Sequence, residues 1–455
     1  MRVTSNDVDE LRGKFAGTIL LPSDPGYDAV RMVHNGLIDR RPAVILRCTG
    51  TADVVASVNF ALSKGLEVSV RGGGHNVAGR AVCDGGAMID LAKMKGIYVD
   101  PVGRLCRAQP GVTWGEFNRE TQLHGLATTG GVVSTTGIAG LTLGGGIGYL
   151  MGLYGLTIDN LISAEIVTAD GNVLTASKDQ NPDLFWALRG GGGNFGIVTS
   201  FEYRLHPVGP LVTGGVCGYH LSEAVDCLKF YRDLTTLAPD EMFILAALVH
   251  SPDGSGKKLA AIVPVHFGEP NVVGRDLQEF RGFGSPVFDT VQLISYEAMN
   301  TLFDAANPKG LLNYWKTGFI SELSDSAIAT MVDQFSRAPS SFTSIYLEPF
   351  YGAATRVDSS ATAFAHRSKA YNFAVVSQWS HPSETKENIT WTRETFVAME
   401  SFLAGGTYVN YIDDDGNERT VEGAYGSNFR RLKEIKKKYD PTNFFHMNQN
   451  IPPAA

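Results

Sequence analysis

The chain alternates between segments whose apolar residues recur every three or four positions and segments in which apolar and polar residues alternate. Between residues 53 and 62 valine, alanine and leucine recur at helical spacing, which predicts a helix that ends at Gly65. The next segment, LEVSVR at 66–71, alternates as a β-strand. Two further short strands are predicted by GGAMIDL at 85–91 and GIYVD at 96–100.

The pattern changes near residue 207. Before that point, SAEIVTADGNVLTA (163–176) predicts a hairpin, DLFWALRG (183–190) a short helix and IVTSFEYRL (197–205) a strand. Beyond it, long strand-like runs are separated by helical stretches such as AIATMVDQFSRA (327–338), which favours an α+β fold with an antiparallel sheet flanked by helices. The runs are MFILAALVH, KLAAIVPVHFG, FTSIYLEPFYG, NFAVVSQWS and TYVNYI.

The length of 455 residues predicts more than one domain. We place boundaries at 1–207 and 208–417, and we expect a last segment, 418–455, to return to the first domain. Composition by itself does not indicate that return.

Charge and composition exclude several classes of partner. The net charge of −8 argues against nucleic acid as a partner, because phosphate binding needs a basic face. The basic run at 430–438 has apolar residues at helical spacing, and its charged residues are interpreted as the solvent-exposed face of an amphipathic helix. Five scattered cysteines predict neither a disulfide framework nor a zinc site, and no metal is expected. With no apolar leader and no run long enough to cross a membrane, we expect a soluble, cytoplasmic protein with no membrane partner.

Glycine clusters carry the first indication of function. The chain has 51 glycines among 455 residues, and they concentrate at 72–74, 130–148 and 189–196. Glycine lets successive N–H groups approach a ligand, and a pyrophosphate is the anion most often bound in this way. Gly191, Gly193 and Gly196 match G-x-G-x-x-G, but the helix precedes these glycines and the strand follows them. A Rossmann site needs the opposite order, so that interpretation fails.

Four motifs closely resemble, in order, those of the berberine-bridge-enzyme-like family, which are FAD-linked oxidases of the vanillyl-alcohol-oxidase / p-cresol methylhydroxylase superfamily. They are RGGGHN (71–76), the glycine-rich segment 130–148, DLFWALRGGGGNFGIVTSFEY (183–203) and YDPTNFFHMNQNIPP (439–453). The resemblance spans about residues 35 to 453. It implies a two-part FAD-binding domain of the PCMH type, made of 1–207 and 418–455, and a separate substrate domain.

The resemblance also implies the residues that hold FAD. The loop 72–74 would cradle the pyrophosphate, and His75 occupies the position of the histidine that bonds covalently to the flavin 8α-methyl group. Many relatives carry a second tether, a cysteine, where this chain has Val133, so we predict a single covalent link through His75. The residues expected to contact FAD are Arg71, Gly72, Gly73, Gly74, His75, Asn76, Thr136, Gly137, Gly140, Gly144, Gly146, Gly148, Gly196, Ile197, Val198 and Asn448.

The segment YVNYIDDD (408–415) is where the resemblance places the active-site tyrosines. It alternates as a strand, which predicts Tyr408 and Asn410 on one side and Tyr411 on the other. By similarity Tyr411 is the base, with Tyr408 and Asn410 lining the flavin ring or the substrate. Either phenol could serve as base if its pKa were lowered. Each tyrosine taken alone could equally be a core residue of a strand, and the acidic run 413–415 is interpreted as a solvated turn.

The function implied is hydride transfer from a small organic substrate (an alcohol, sugar, alkaloid or polyketide) to FAD. Relatives use a small or a branched apolar residue at the position of Thr136 to admit or block oxygen, and threonine favours an oxidase that yields hydrogen peroxide. A flavin-dependent dehydrogenase or oxidative cyclase with another acceptor, and a flavin-binding protein without catalysis, stay open as alternatives.

Overall fold

The structure is a computed structural model that describes residue 3 and residues 5–455, and for residues 5, 6, 270 and 271 it describes the backbone only. The described residues form twenty strands and fifteen α-helices. The strands are β1 (Thr18–Leu20), β2 (Val44–Arg47), β3 (Val68–Arg71), β4 (Ala87–Asp90), β5 (Ile97–Asp100), β6 (Leu105–Ala108), β7 (Leu126–Ala127), β8 (Leu161–Val167), β9 (Val173–Ser177), β10 (Ile197–Arg204), β11 (His206–Pro207), β12 (Leu211–Gly214), β13 (Cys217–His220), β14 (Met242–His250), β15 (Lys258–His266), β16 (Phe288–Asp289), β17 (Gln292–Ser295), β18 (Leu312–Ile320), β19 (Ser344–Phe350) and β20 (Ala370–Trp379).

Most of the long helices lie in the second half of the chain. The helices are α1 (Ser5–Arg12), α2 (Tyr27–Arg31), α3 (Thr51–Lys64), α4 (Trp114–Gln122), α5 (Ile138–Leu143), α6 (Met151–Tyr154), α7 (Pro182–Leu188), α8 (Ala224–Leu237), α9 (Pro270–Asp276), α10 (Gln278–Arg281), α11 (Tyr296–Asn300), α12 (Asp325–Ser336), α13 (Thr385–Met399), α14 (Glu418–Tyr425) and α15 (Phe429–Tyr439).

The first sheet has the strand order β1-β2-β4-β3, and β2 and β3 both run parallel to β4. Helix α3 packs against this sheet through a core that includes Val54, Val58 and Ala61. It ends at Gly65, whose positive φ of 58° lets the chain leave the helix and enter β3. Because β3 ends at Arg71, the loop 72–74 emerges at the carboxyl end of the sheet.

The second sheet is antiparallel, with the order β5-β6-β10-β8-β9, and the predicted hairpin forms its β8–β9 edge. Helices α7, α14 and α15 share its hydrophobic core. Two side chains of α15 bond to Asp183 at the start of α7: Lys438 at 2.7 Å and Tyr439 at 2.9 Å. The C-terminal segment therefore contacts the region that carries the glycine cluster 190–196.

The third sheet contains nine strands, and its main path runs β16-β13-β15-β14-β19-β20-β18 with every pairing antiparallel. Helices α8, α12 and α13 cover one face, where Ile345 and Leu347 of β19 are buried. Side chains alternate across a strand, so Tyr346, Glu348 and Phe350 point to the opposite face. That face meets the glycine-bearing loops, and this arrangement positions the site.

Candidate active site

A cavity of about 260 Å³ lies where the glycine loops of the first two sheets meet the nine-stranded sheet. Tyr408, Asn410 and Tyr411 all line it, as does Val133. Its wall also contains most of the residues predicted to contact FAD, namely Gly72, Gly73, Gly74, His75, Asn76, Thr136, Gly137, Gly140, Gly196, Ile197, Val198 and Asn448. Segments separated by hundreds of residues in the sequence therefore converge on one cavity.

Four of the predicted contacts, Arg71, Gly144, Gly146 and Gly148, are not among the lining residues. The Arg71 guanidinium instead donates to the buried Asp90 carboxylate, at 3.0 and 2.6 Å. A Cβ added to Gly144 would lie 2.0 Å from Asn410 Oδ1, so this glycine makes room for Asn410. The Gly146 N–H donates to the Tyr408 hydroxyl at 3.1 Å. These glycines support the tyrosine motif, and a direct contact with the cofactor stays a prediction for all four.

Glycine backbone, which carries no side chain, forms much of the cavity wall and allows the close approach that a dinucleotide requires. The loops at Gly73 and Gly137 approach so closely that a Cβ on either residue would lie 2.4 Å from the backbone nitrogen of the other. A Cβ on Gly140, by contrast, would meet no atom within 4 Å. Exposed main-chain N–H groups on a concave wall suit an anion that is crowded with acceptor oxygens. The lining therefore fits the pyrophosphate and ring system of FAD.

His75 follows the first glycine loop and is held at its ring edge by two hydroxyl groups. Thr135 Oγ1 lies 3.0 Å from Nε2, and Thr136 Oγ1 lies 3.4 Å from Nδ1. Burial, reinforced by the neighbouring His34, lowers the pKa of His75 to about 3. The His34 ring stacks on His75 with 4.1 Å between centroids and 22° between planes. His75 is therefore neutral at physiological pH and keeps a nitrogen lone pair.

The strand predicted over 407–412 is wrong. Residues 409–411 form a turn of 3₁₀-helix, closed by the Tyr411 N–H donating to the Tyr408 carbonyl at 3.0 Å. The turn brings the Tyr408 and Tyr411 rings edge to face, 5.0 Å apart, where a strand would have separated them. The physical reason is the anchoring of Tyr408, whose hydroxyl accepts from two backbone N–H groups and from Asn410 Nδ2 at 2.8 Å.

The electrostatics do not meet the condition for a tyrosine base. Burial raises the pKa of Tyr408 to about 12, and burial together with the Glu348 charge raises the pKa of Tyr411 well above its ordinary value. Both phenols are thus protonated at neutral pH, and the Tyr411 hydroxyl donates to Glu348 whereas the Tyr408 hydroxyl accepts from three N–H groups.

Glu348, which the sequence does not single out, lies behind the cavity wall in contact with the lining residue Tyr411. Its side chain is 3% exposed, and Oε1 accepts from the Tyr411 hydroxyl at 3.3 Å while Oε2 accepts from Asn372 at 2.6 Å. Burial raises its pKa to about 7. The sequence does contain one indication of Glu348, because it is the one charged residue in the strand sequence SIYLEPF.

The acidic run 413–415 is a solvated turn only in part, because Asp414 and Asp415 are exposed and lie in a turn whereas Asp413 is buried. Asp413 is 4% exposed and lies 3.2 Å from the Lys316 ammonium, and Asp415 bonds to Lys316, Tyr314 and Arg393. These contacts fasten the chain beyond Tyr411 to strand β18 and helix α13. The run therefore anchors the tyrosine turn to the nine-stranded sheet.

Comparison with known proteins identifies the family. A family model for a FAD binding domain matches residues 42–177, and a model described as berberine and berberine like matches residues 407–452. The (R)-6-hydroxynicotine oxidase of Paenarthrobacter nicotinovorans is 32% identical, over 96% of this chain and 97% of its own length. This chain belongs to the berberine-bridge-enzyme-like family of FAD-linked oxidoreductases.

Solved structures agree with this flavoenzyme over nearly its whole length. The crystal structure of 6-hydroxy-D-nicotine oxidase from Arthrobacter nicotinovorans superposes with a TM-score of 0.88, at 29% identity, and covers 97% of this chain and 98% of that one. A berberine bridge enzyme variant in complex with (S)-reticuline, 22% identical, has the same fold with a TM-score of 0.90 and covers all of both chains. The predicted family, α+β fold, FAD-binding domain and oxidoreductase class are confirmed.

Two kinds of structural feature are absent from the described part of the flavoenzyme. It contains no group of three His, Cys, Asp or Glu side chains that could hold a metal ion. None of its helices there combines the length and the apolar character needed to cross a membrane.

Proposed function

We propose that this flavoenzyme is an oxidase of small organic amines and that Glu348 accepts the proton of the substrate nitrogen. The observation that carries the proposal is the burial of Glu348 directly behind Tyr411, which lines the cavity, with no Lys or Arg paired to it in the described part of the chain. A buried carboxylate is normally paired with a cation. The ammonium group of a substrate would supply that partner.

The side chains around Tyr411 support a cationic substrate. Trp315 and Tyr411 both line the cavity, and their rings meet edge to face at 5.4 Å. Aromatic faces attract ammonium groups, most strongly when water is excluded. A sugar would bring several hydroxyl groups that each need a partner once buried. The aromatic character of this end of the cavity favours an amine.

The relative from Paenarthrobacter adds support of a different kind. Hydroxynicotine, the compound in its name, carries a basic nitrogen in a saturated ring, and that relative matches this chain over nearly its whole length. When bound, FAD supplies the acceptor for a hydride from the carbon beside such a nitrogen. The chain holds the amine, and its Glu348 carboxylate removes the ammonium proton so that the nitrogen lone pair can assist hydride loss.

We also propose a single covalent link through His75 and molecular oxygen as the final acceptor. His75 lines the cavity with a lone pair available, while Val133, at the position of the second tether, has no nucleophilic atom. Thr136 lies on the wall and is small, which supports access of oxygen.

The test is anaerobic reduction of the bound flavin by matched pairs of compounds. Cyclic secondary and tertiary amines should bleach the flavin absorbance, whereas their ring-oxygen isosteres and simple sugars should not. Admitting air should then restore the colour faster than steady-state turnover. Bleaching by alcohols or sugars but by no amine contradicts the substrate class, and reoxidation slower than turnover contradicts oxygen as the acceptor.

A further inference from the structure

We propose that His34 is a positioning residue for the flavin tether: its ring, stacked on His75, sets the plane of the imidazole that forms the covalent bond. The inference rests on the proposed covalent link. It concerns a residue outside the four sequence motifs, in the loop that follows α2.

The backbone of His34 is fixed between two loops. Its N–H donates to the Gly74 carbonyl at 2.9 Å, and its carbonyl accepts from the Gly310 N–H at 3.0 Å. The next residue, Asn35, donates through Nδ2 to the Val77 carbonyl at 2.8 Å. These bonds attach the His34 backbone to the glycine loop that carries His75, so the two residues are held side by side.

Apart from its contact with His75, the His34 side chain has no evident structural role in the described part of the chain. Its residue is 9% exposed and lines the cavity, and its ring nitrogens make no hydrogen bond within the part of the chain that the structure describes. The contact that defines its position is the stack on His75, at 4.1 Å and 22°.

The stacked His34 ring restrains a motion of the His75 ring that the Thr135 and Thr136 hydroxyl groups leave free. Thr135 and Thr136 contact the edge of the His75 ring and limit its rotation within the ring plane. Tilting out of that plane is opposed by a parallel ring on one face. Burial also lowers the pKa of His34 to about 4, so the stack consists of two neutral rings without mutual repulsion.

Alignment matters because tether formation is a bond between two fixed partners. One imidazole nitrogen of His75 joins the 8α-methyl carbon, with net loss of one hydrogen from the methyl group and one from the imidazole. Molecular oxygen takes both hydrogens and both electrons and becomes hydrogen peroxide. Reactions between held groups depend steeply on approach geometry, and a displacement of about 1 Å can slow them about a hundredfold.

The experiment compares stacking and non-stacking variants of the flavin-loaded protein. His34→Phe keeps a flat ring, whereas His34→Leu and His34→Gln do not, and His124→Gln alters an exposed histidine as the control. Two quantities are measured: total flavin, from native absorbance, and covalent flavin, from fluorescence of the denatured band after acid precipitation. We expect the covalent fraction to fall about tenfold in the Leu and Gln variants at unchanged total flavin, and to be largely kept in the Phe variant.

The outcomes separate this inference from the proposed tether. Wild-type protein that releases all its flavin on acid precipitation rejects the tether, and the inference with it. Wild-type protein that retains flavin while the Leu and Gln variants retain it equally overturns the inference alone. A Phe variant that folds, binds flavin and fails to tether overturns the stacking role as well, because it assigns the effect to the ring nitrogens.

Discussion

Burial gives Glu348 a proton affinity that the same side chain does not have in water. Its two hydrogen-bond donors, Tyr411 and Asn372, are both neutral, so they offset only part of the loss of hydration, and the pKa rises to about 7. A carboxyl group with that pKa is a far stronger proton acceptor than an exposed glutamate and is still about half ionised near neutral pH. The single buried side chain thus supplies what a tyrosine base would need a large downward shift to supply.

The pH dependence of turnover tests this assignment. Below about pH 7 Glu348 is protonated and cannot accept a proton, so kcat/KM should fall about tenfold per pH unit on the acid side. Glu348→Gln should abolish that acid limb and lower kcat/KM by about 10²–10⁴-fold. Flavin reduction followed by stopped flow across pH measures both effects.

Tyr411→Phe distinguishes the two candidate bases. The Tyr411 hydroxyl holds the pKa of Glu348 down by donating to it, so its loss should move the acid limb to higher pH and leave substantial turnover. If Tyr411 were the base, Tyr411→Phe would remove turnover while Glu348→Gln retained its normal acid limb.

Residue roles could be predicted only where neighbours in sequence create them. His75 is identified because a glycine run precedes it directly, and Val133 is informative because it lies inside a recognisable motif. His34 and Glu348 acquire their roles from partners far away in the chain, at Gly74 and His75 for the first and at Tyr411 for the second. No pattern among neighbouring residues of the sequence indicates those long-range contacts.

At the scale of elements, the strands that pair with neighbours along their whole length were predicted correctly, whereas the short segment that carries Tyr408 and Tyr411 was not. The runs in β14, β15 and β20 pair along their whole length inside the third sheet, so alternation and apolar character decide their structure. The segment 407–412 alternates just as well. Its hydrogen bonds are local and to the Gly146 loop, and these tertiary contacts override the pattern.

Gly137 and Gly140 lie three positions apart, and substituting each of them distinguishes a role in packing from a role in cofactor contact. Gly137→Ala would place a methyl group 2.4 Å from the Gly73 nitrogen, and we expect the contact to destabilise the protein by about 1–3 kcal/mol with or without flavin. Gly140→Ala adds a methyl group that meets no protein atom within 4 Å, inside helix α5, where alanine is the better helix former.

Thermal unfolding and flavin content measure the two effects. Gly140→Ala should leave the stability of the flavin-free protein unchanged or slightly raised while the flavin content falls, since Gly140 lines the cavity. Equal loss of stability in the two variants would show that Gly140 serves packing rather than the cofactor.

On the scale of the whole molecule, the site depends on the last forty or so residues folding back onto the glycine segment. Lys436 of α15 is fully buried and donates to three acceptors: the Asn194 carbonyl at 2.7 Å, the Asp440 carboxylate at 2.6 Å and the Phe445 carbonyl at 3.0 Å. Asn194 lines the cavity and also donates to the Gln449 carbonyl at 3.1 Å. One ammonium group therefore joins the C-terminal helix, the tail that carries Asn448 and the cavity wall.

Removing that ammonium group should weaken the protein and loosen its cofactor together. Lys436→Met keeps the bulk of the side chain but leaves the buried Asp440 carboxylate without its cation, a loss we expect to destabilise folding by about 3–5 kcal/mol. Lys437→Met, at the adjacent exposed position, is the matched control and should change stability by less than about 0.5 kcal/mol. Urea unfolding is followed in parallel by flavin fluorescence, which rises when the flavin loses its protein surroundings whether or not it is tethered, and by far-ultraviolet circular dichroism.

If segment 418–455 belongs with the FAD-binding part of the chain, the fluorescence change should shift to lower urea in the Lys436 variant, ahead of the loss of β-sheet signal. A fluorescence change that coincides with the loss of sheet signal in both variants would instead assign the segment to the molecule as a whole and contradict the proposed division into domains.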